Sequence, residues 1–254
     1  MKDSGLHAES SSAPDPETGS DSSPDSTSPK HAQDPEFIRG LFSRIAHRYD
    51  LANHLLSAGL DPVWRKKTAR LVASWQPDTI LDLAAGSGDL SLTLRRFCPN
   101  ATISAADFCL PMLQQAQRKG LTSLIVADGM NLPFQDASFD VLTIAFGLRN
   151  MRDYPEALLE MQRVLRPDGR VVILDFSVPP PPLRWIYRPY LHLILPKIAG
   201  LLTKEPDAYR YLGQSIEAFP HGSKMCELLI RCGFKTPVAT PLTGGIVSLY
   251  HAQK

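Results

Sequence analysis

"LDLAAGSGDL" (81–90) is the stretch on which the fold turns. An apolar run carrying Asp82 is interrupted at Gly86 and Gly88, where the backbone can turn tightly and approach a ligand closely. Read outward, "TILDLAA" (79–85) is a short buried strand and "DLSLTLRRFC" (89–98) a helix, whose first turn offers free N–H groups. The same texture repeats downstream. "ATISAADF" (101–108), "LTSLIVAD" (121–128), "FDVLTIAFG" (139–147) and "RVVILDFS" (170–177) read as strands. "PMLQQAQRKG" (111–120) and "YPEALLEMQRVLRPDG" (154–169) read as helices, the second ended by a Pro-Asp-Gly turn. Alternation of this kind predicts an α/β fold, a Rossmann-like parallel sheet with helices on both faces. "TPVATPLTGGIVSLYHAQK" (236–254) predicts two closing strands, an antiparallel hairpin at the sheet edge.

Upstream, residues 1–34 are rich in Ser, Pro, Asp and Gly and carry a net charge of −5, which leaves +6 on 35–254 of a protein whose total is +1. Such a tail has too little to bury to offset its ordering entropy, and it is expected to be disordered. It has no apolar core of a secretory signal, and its acidity argues against a mitochondrial transit peptide, so a cytoplasmic protein is expected. From 35 to 76 the spacing of Phe37, Ile38, Leu41, Phe42, Ile45 and Tyr49 predicts helix, and Asp61-Pro62 reads as the N-cap of a second helix through about Trp75. This is an N-terminal helical cap on a single large domain spanning 35–254. Residues 178–222 break the alternation. Four prolines (179–182) precede "LRWIYRPYLHLILPKIAGLL" (183–202), expected to be a lid insertion or a greasy entrance flanked by Arg184, Arg188 and Lys197. No apolar run is long enough to predict a spanning helix. The four cysteines show no ligand spacing, so neither disulfides nor a metal site are expected. Neither a basic stripe nor a target-base motif points to nucleic acid.

The carboxylates narrow the ligand. A dinucleotide turn would want a third glycine where Ser91 stands, and Asp89 directly after Gly88 would repel a pyrophosphate. S-adenosylmethionine (SAM), a cation, fits better. Asp82, just before the turn, can bond the ammonium of its methionyl group. Asp107, ending the second strand, can accept both hydroxyls of a ribose. Asp128 and Gly129, ending the third, can read an adenine edge. All lie at the carboxyl ends of strands, where open α/β sheets bind ligands.

"VLTIAFGLRNMRD" (141–153) carries the remaining clue. A core strand breaks at Gly147 and places Arg149 and Asn150 just beyond its end. The pair either faces a substrate, or Arg149 merely caps the next helix or pairs with Asp153.

With these residues in hand, "LDLAAGSGDL", "LPFQDASFDVLTIAFGLRN", "RVLRPDGRVVILDFS" and "YRYLGQSIEAFP" resemble the quinone C-methyltransferases (UbiE/MenG family), as do "LFSRIAHRYDLANHLLSAGLDPVWRK" and "LTGGIVSLYHA". The resemblance spans about 37–252. It implies a class I SAM-dependent methyltransferase fold and C-methylation of demethylmenaquinol, with the 2-methoxy-6-polyprenyl-benzoquinol of ubiquinone synthesis, or another small molecule, as alternative acceptors. It implies that the turn around Ser87 touches the methionyl part of SAM, and that Tyr49, Arg149, Asn150 and Tyr209 lie on the quinol side, with Tyr49, Arg149 and Asn150 taking part in catalysis. His47 is a further candidate for proton transfer, and Tyr211 a rival to Tyr209 that core packing alone would explain. Two departures stand out. Ser87 replaces the family's usual Thr and keeps its hydroxyl, whereas Ala145 replaces Ser, so a cofactor contact there falls to the backbone. A polyprenylated quinol, a membrane surface at the inner face of the cell membrane and a second copy of the protein are the expected partners.

Overall fold

The computed structural model describes residues 40, 57, 59–194 and 206–254, with side chains from 211 onward in the last stretch. The acidic tail, Tyr49, His47 and Lys197 lie outside the described residues, as does the side chain of Tyr209.

Helix α1 (Asp61–Ala73) precedes a sheet of seven strands: β1 (Thr79–Leu83), β2 (Thr102–Asp107), β3 (Leu124–Val126), β4 (Phe139–Ala145), β5 (Leu165–Phe176), β6 (Lys235–Leu242) and β7 (Val247–Gln253). Their order is β3-β2-β1-β4-β5-β7-β6. The first five pair in parallel, and β7 runs antiparallel to both β5 and β6. The expected hairpin is therefore present, with β7 inside and β6 at the edge. Strand order reverses between β1 and β4, and ligands of such sheets sit outside the strand ends at this switch point.

Side chains alternate across the strands and build a core on each face. Ile80, Val141, Val172 and Leu174 pack with Trp64, Val72, Leu90 and Leu94 of α1 and α2 (Asp89–Phe97). Leu81, Leu83, Leu142, Ile144, Val171 and Ile173 pack on the opposite face with Leu158, Met161 and Val164 of α4 (Tyr154–Val164) and Leu229 of the helix Ser223–Arg231. Between them, α3 (Leu110–Arg118) follows β2.

Three expectations shift. The helix expected over 154–169 ends at Val164, and Leu165 already pairs with Phe139. Pro167 disfavours helix at Arg166 and cannot donate to Arg163 O, which instead accepts the N–H of Ala137. Residues 166–169 bulge out of β5 before pairing resumes at Arg170. Asp61 is the first residue of α1 rather than its cap, and its carboxylate accepts from Ser57 Oγ at 2.9 Å. Strand β3 is shorter than expected because it pairs only with three residues of β2 at the sheet edge.

The segment after β5 is largely helical where it is described. Helix α5 (Leu183–Pro189) runs into a wider turn over Tyr190–Ile194, and α6 (Pro206–Ala218) packs against it. Arg188 and His192 of this segment both reach Glu217 of α6, at 2.9 and 3.3 Å.

Candidate active site

The turn after β1 and the turn after β4 meet at the switch point. Both bend sharply: Ala84 and Phe146 hold positive φ (51° and 57°), a strain of about 1–3 kcal/mol each that surrounding contacts must offset. A Cβ on Gly147 would stand 2.4 Å from the Cβ of Ala84, so only glycine lets the two turns approach this closely. Gly88 has φ 82°, and a Cβ there would strike Leu121 at 2.4 Å. Between the turns opens a cleft of about 340 Å³, lined by Arg65, Asp82, Ala84, Ala85, Gly86, Ser87, Asp89, Leu90, Ala145 and Phe146.

Of the sequence-predicted cofactor residues, Asp82, Gly86, Ser87 and Ala145 line this cleft directly, and Gly88 stands next in sequence to two lining residues, Ser87 and Asp89. Asp82 accepts from Ser91 Oγ at 2.5 Å and Thr143 Oγ1 at 2.8 Å. Burial pushes its carboxyl up to about 6, against the pull of these hydroxyls and of the nearby Arg65 charge. Asp107 lies just beneath the glycine turn. Its two oxygens accept from the N–H of Gly86 and of Cys109, both at 2.8 Å, so it braces the turn, and burial raises its pKa as well. Each carboxylate oxygen has a second lone pair, which leaves capacity for a ribose hydroxyl. Asp128 is exposed and accepts from Met130 N at 3.0 Å within its own turn, with Gly129 buried beside it over Met151. Asp128 and Gly129 stand just after β3, outside the lining of the cleft.

The pair after β4 is positioned by a single carbonyl. Phe146 O accepts from Arg149 Nη1 at 2.5 Å and from Asn150 Nδ2 at 3.3 Å. The expected alternatives for Arg149 do not occur. Asp153 itself caps α4, accepting from Glu156 N at 3.0 Å, and Arg149 Nη1 pairs with Asp175 of β5 at 2.7 Å. Both partners are buried, Asp175 completely, and burial raises its pKa although Arg149 opposes the shift. The guanidinium also lies 5.4 Å from the centre of the Phe176 ring, and its Nε is buried with no hydrogen-bond partner among the described residues. A buried donor left unmade is uncommon and costs energy.

Tyr211 of α6 donates to Asn150 Oδ1 at 3.2 Å. Tyr187 of α5 is also buried within the field of Arg149, and its ring stacks on Tyr190 with centroids 6.5 Å apart. Burial raises the pKa of both Tyr187 and Tyr211, which keeps them protonated as hydrogen-bond donors near neutral pH. Tyr211, for which core packing alone would have been an explanation, is thus brought to the Arg-Asn pair, while the side chain of Tyr209 lies outside the described residues.

Sequence reading does not single out Arg65 or Asp175. Asp175 carries a legible signal: a lone carboxylate inside an apolar strand, "VVILDFS" (171–177), like Asp82 in "TILDL". Arg65 carries none, since an Arg on a helix after "DPVW" reads as an exposed base. Among the described residues there is no group of three or more His, Cys, Asp or Glu placed to hold a metal, and no helix long and apolar enough to cross a membrane.

Comparison with known proteins identifies the family and the fold. Residues 29–254 match the model of the ubiE/COQ5 methyltransferase family. The sequence is 44% identical over 218 residues to a demethylmenaquinone methyltransferase of Thermus thermophilus, covering 83% of this protein and 98% of the relative. It is 38% identical over 227 residues to a ubiquinone/menaquinone biosynthesis C-methyltransferase UbiE of Bdellovibrio bacteriovorus, covering 87% and 97%. Among solved structures, a SAM-dependent methyltransferase from Thermotoga maritima superimposes with a TM-score of 0.61 at 16% identity, over 85% of this protein and 99% of that one. The plantazolicin methyltransferase BpumL, solved with S-adenosylhomocysteine, gives 0.61 at 12% identity over 85% and 95%. The fold is that of the class I SAM-dependent methyltransferases, and by sequence the protein belongs to the ubiE/COQ5 methyltransferase family and is a SAM-dependent methyltransferase.

Proposed function

We propose that this protein methylates a ring carbon of demethylmenaquinol, giving menaquinol. The observation that carries this reading is the corner formed by Arg149, Asn150 and Tyr211 on the Phe146 turn, which also lines the cofactor cleft. The names borne by the most similar relatives point the same way. The cleft fits the donor: Asp82 offers a buried carboxylate to an ammonium, Ser87 and the backbone of Ala145 line the methionyl end, and Asp107 keeps lone pairs for a ribose. Asp128 and Gly129, after β3 and beyond the lined cleft, are assigned to the adenine.

SAM, when bound, supplies an electrophilic methyl group on a good leaving group. The protein's task is to make a ring carbon nucleophilic and hold it in line with that methyl. Arg149 is a guanidinium cation and favours the phenolate of the quinol. Asp175 fixes the guanidinium through Nη1, which leaves the unpartnered Nε among the donors available to that oxygen. Asn150, held by Phe146 O and Tyr211, orients the second oxygen. A C–CH₃ bond replaces a ring C–H bond, and one proton leaves to solvent.

The lid gives the polyprenyl tail a way in. Trp185 and Ile186 are 72% and 73% exposed, and Leu193 and Ile194 are exposed beside them, with Arg188 two residues beyond Ile186. Basic and apolar side chains together suit the surface of an anionic bilayer, where the substrate resides. In a strain lacking the gene, quinone profiling by mass spectrometry is expected to show demethylmenaquinone in place of menaquinone. Accumulation of the demethylated ubiquinone precursor alone would move the assignment to that acceptor, and an unchanged profile would refute a quinol substrate.

A further inference from the structure

Arg65 is the residue of the cofactor cleft to which neither the chemistry nor the sequence has given a part. Among the residues lining that cleft, three carry charge: Asp82, Asp89 and Arg65. SAM itself carries three charges at its methionyl end, a sulfonium and an ammonium, both positive, and one carboxylate. Two acids therefore face two cations, and Arg65 is the cation facing the remaining anion. We infer that Arg65 receives the methionyl carboxylate of SAM and so sets which end of the amino acid lies against α1.

The geometry supports this assignment. Arg65 is buried, with 9% of its side chain exposed, on the face of α1 that packs over the glycine turn. It is held by Asp61, one helical turn earlier, and lies 3.6 Å from Asp89. Both contacts use Nη1. A guanidinium has five N–H donors in a planar fork, so Arg65 can engage a carboxylate in the cleft without leaving Asp61. Asp89 is not stranded by such a shift, because its other oxygen is paired with Lys119 at 2.7 Å. The Asp61 contact aims the guanidinium, and the longer Asp89 contact is the one a ligand carboxylate replaces. Asp82, bonded to Ser91 and Thr143, then meets the ammonium. The two residues read the two charges of the zwitterion separately. The assignment rests on SAM as the donor and is independent of the acceptor.

Calorimetric titration with SAM and with decarboxylated SAM, which keeps the amine and lacks the carboxylate, tests this. The full-length protein is expected to bind SAM at least about tenfold more tightly than the decarboxylated form, the difference typical of a charge-assisted hydrogen bond. In Arg65→Met the ratio is expected to fall to about one, through loss of SAM affinity with little change for the decarboxylated compound. Because Arg65→Met also removes the contact with Asp61, the ratio is also read in the double variant Arg65→Met/Asp61→Asn, which removes both charges, and in Arg65→Lys, which should retain part of the preference. A wild-type ratio near one, or a tenfold ratio surviving in a folded Arg65→Met or double variant, overturns the inference. Neither result bears on the quinol, since no acceptor is present.

Discussion

Arg149 is tied to a carboxylate with no exposure to solvent, so its removal acts on two levels. Arg149→Ala leaves Asp175 buried and uncompensated, a loss of about 3–5 kcal/mol in stability measured by urea unfolding. Arg149→Met with Asp175→Asn should restore most of that stability and none of the turnover, which separates the structural pairing from the chemistry. Tyr211→Phe is a milder probe: it removes the donor to Asn150 and is expected to lower kcat/KM for the quinol about tenfold while SAM affinity, read by calorimetry, stays unchanged. Asp82 gives a pH signature. Its folded pKa of about 6 lies above the ordinary carboxylate value, so the native state holds the proton more tightly. Stability from this group is present below about pH 4 and is lost as pH rises through about 6. Asp82→Asn is therefore expected to raise stability by roughly 1–3 kcal/mol at about pH 7.5 but not at about pH 4, while weakening SAM binding. In the wild type, SAM affinity should fall below about pH 6 as the carboxylate protonates. Asp82 and Asp107 are legible in the sequence from their places toward the ends of β1 and β2. The Arg149–Asp175 pair is not, because the partners come from different segments and only the register of β4 on β5 brings them together.

At the scale of the element, the closeness of two turns makes the site. Gly147→Ala would drive its Cβ against Ala84, separating the turns and opening the cleft. A stability loss of about 1–3 kcal/mol and weaker SAM binding are expected. Ala84→Gly in the same protein should rescue both, since it removes the clashing methyl and relieves the positive φ of residue 84. No rescue would show that the close approach is not the constraint. The element order is readable from periodicity and glycine turns, and the closing hairpin from its turn residues. The end of α4 is not, because Leu165 continues the helix's apolar spacing while the strand pairing with Phe139 claims it first. The local preference for helix loses to a tertiary hydrogen-bond ladder once Pro167 has weakened the alternative.

For the whole molecule, the sheet brings the glycine-turn cleft, the Arg149 corner and α5, proposed as a lid, to one region. If the lid rests on lipid, Trp185→Ser/Ile186→Ser should abolish flotation with vesicles containing anionic lipid and spare SAM binding. A wild-type protein that stays out of such vesicles, or sediments as a dimer that the same variant dissociates, would assign that face to a second copy instead. Methyl transfer to a quinol carbon beside the cleft can be followed atom by atom. The purified protein is incubated with methyl-deuterated SAM and demethylmenaquinol, and the extracted quinone is analysed by mass spectrometry. One trideuteromethyl group on the ring carbon is expected, formed in step with S-adenosylhomocysteine and lost in the stable Arg149→Met/Asp175→Asn variant. Label on an oxygen would refute carbon transfer, and full transfer by that variant would remove Arg149 from the chemistry.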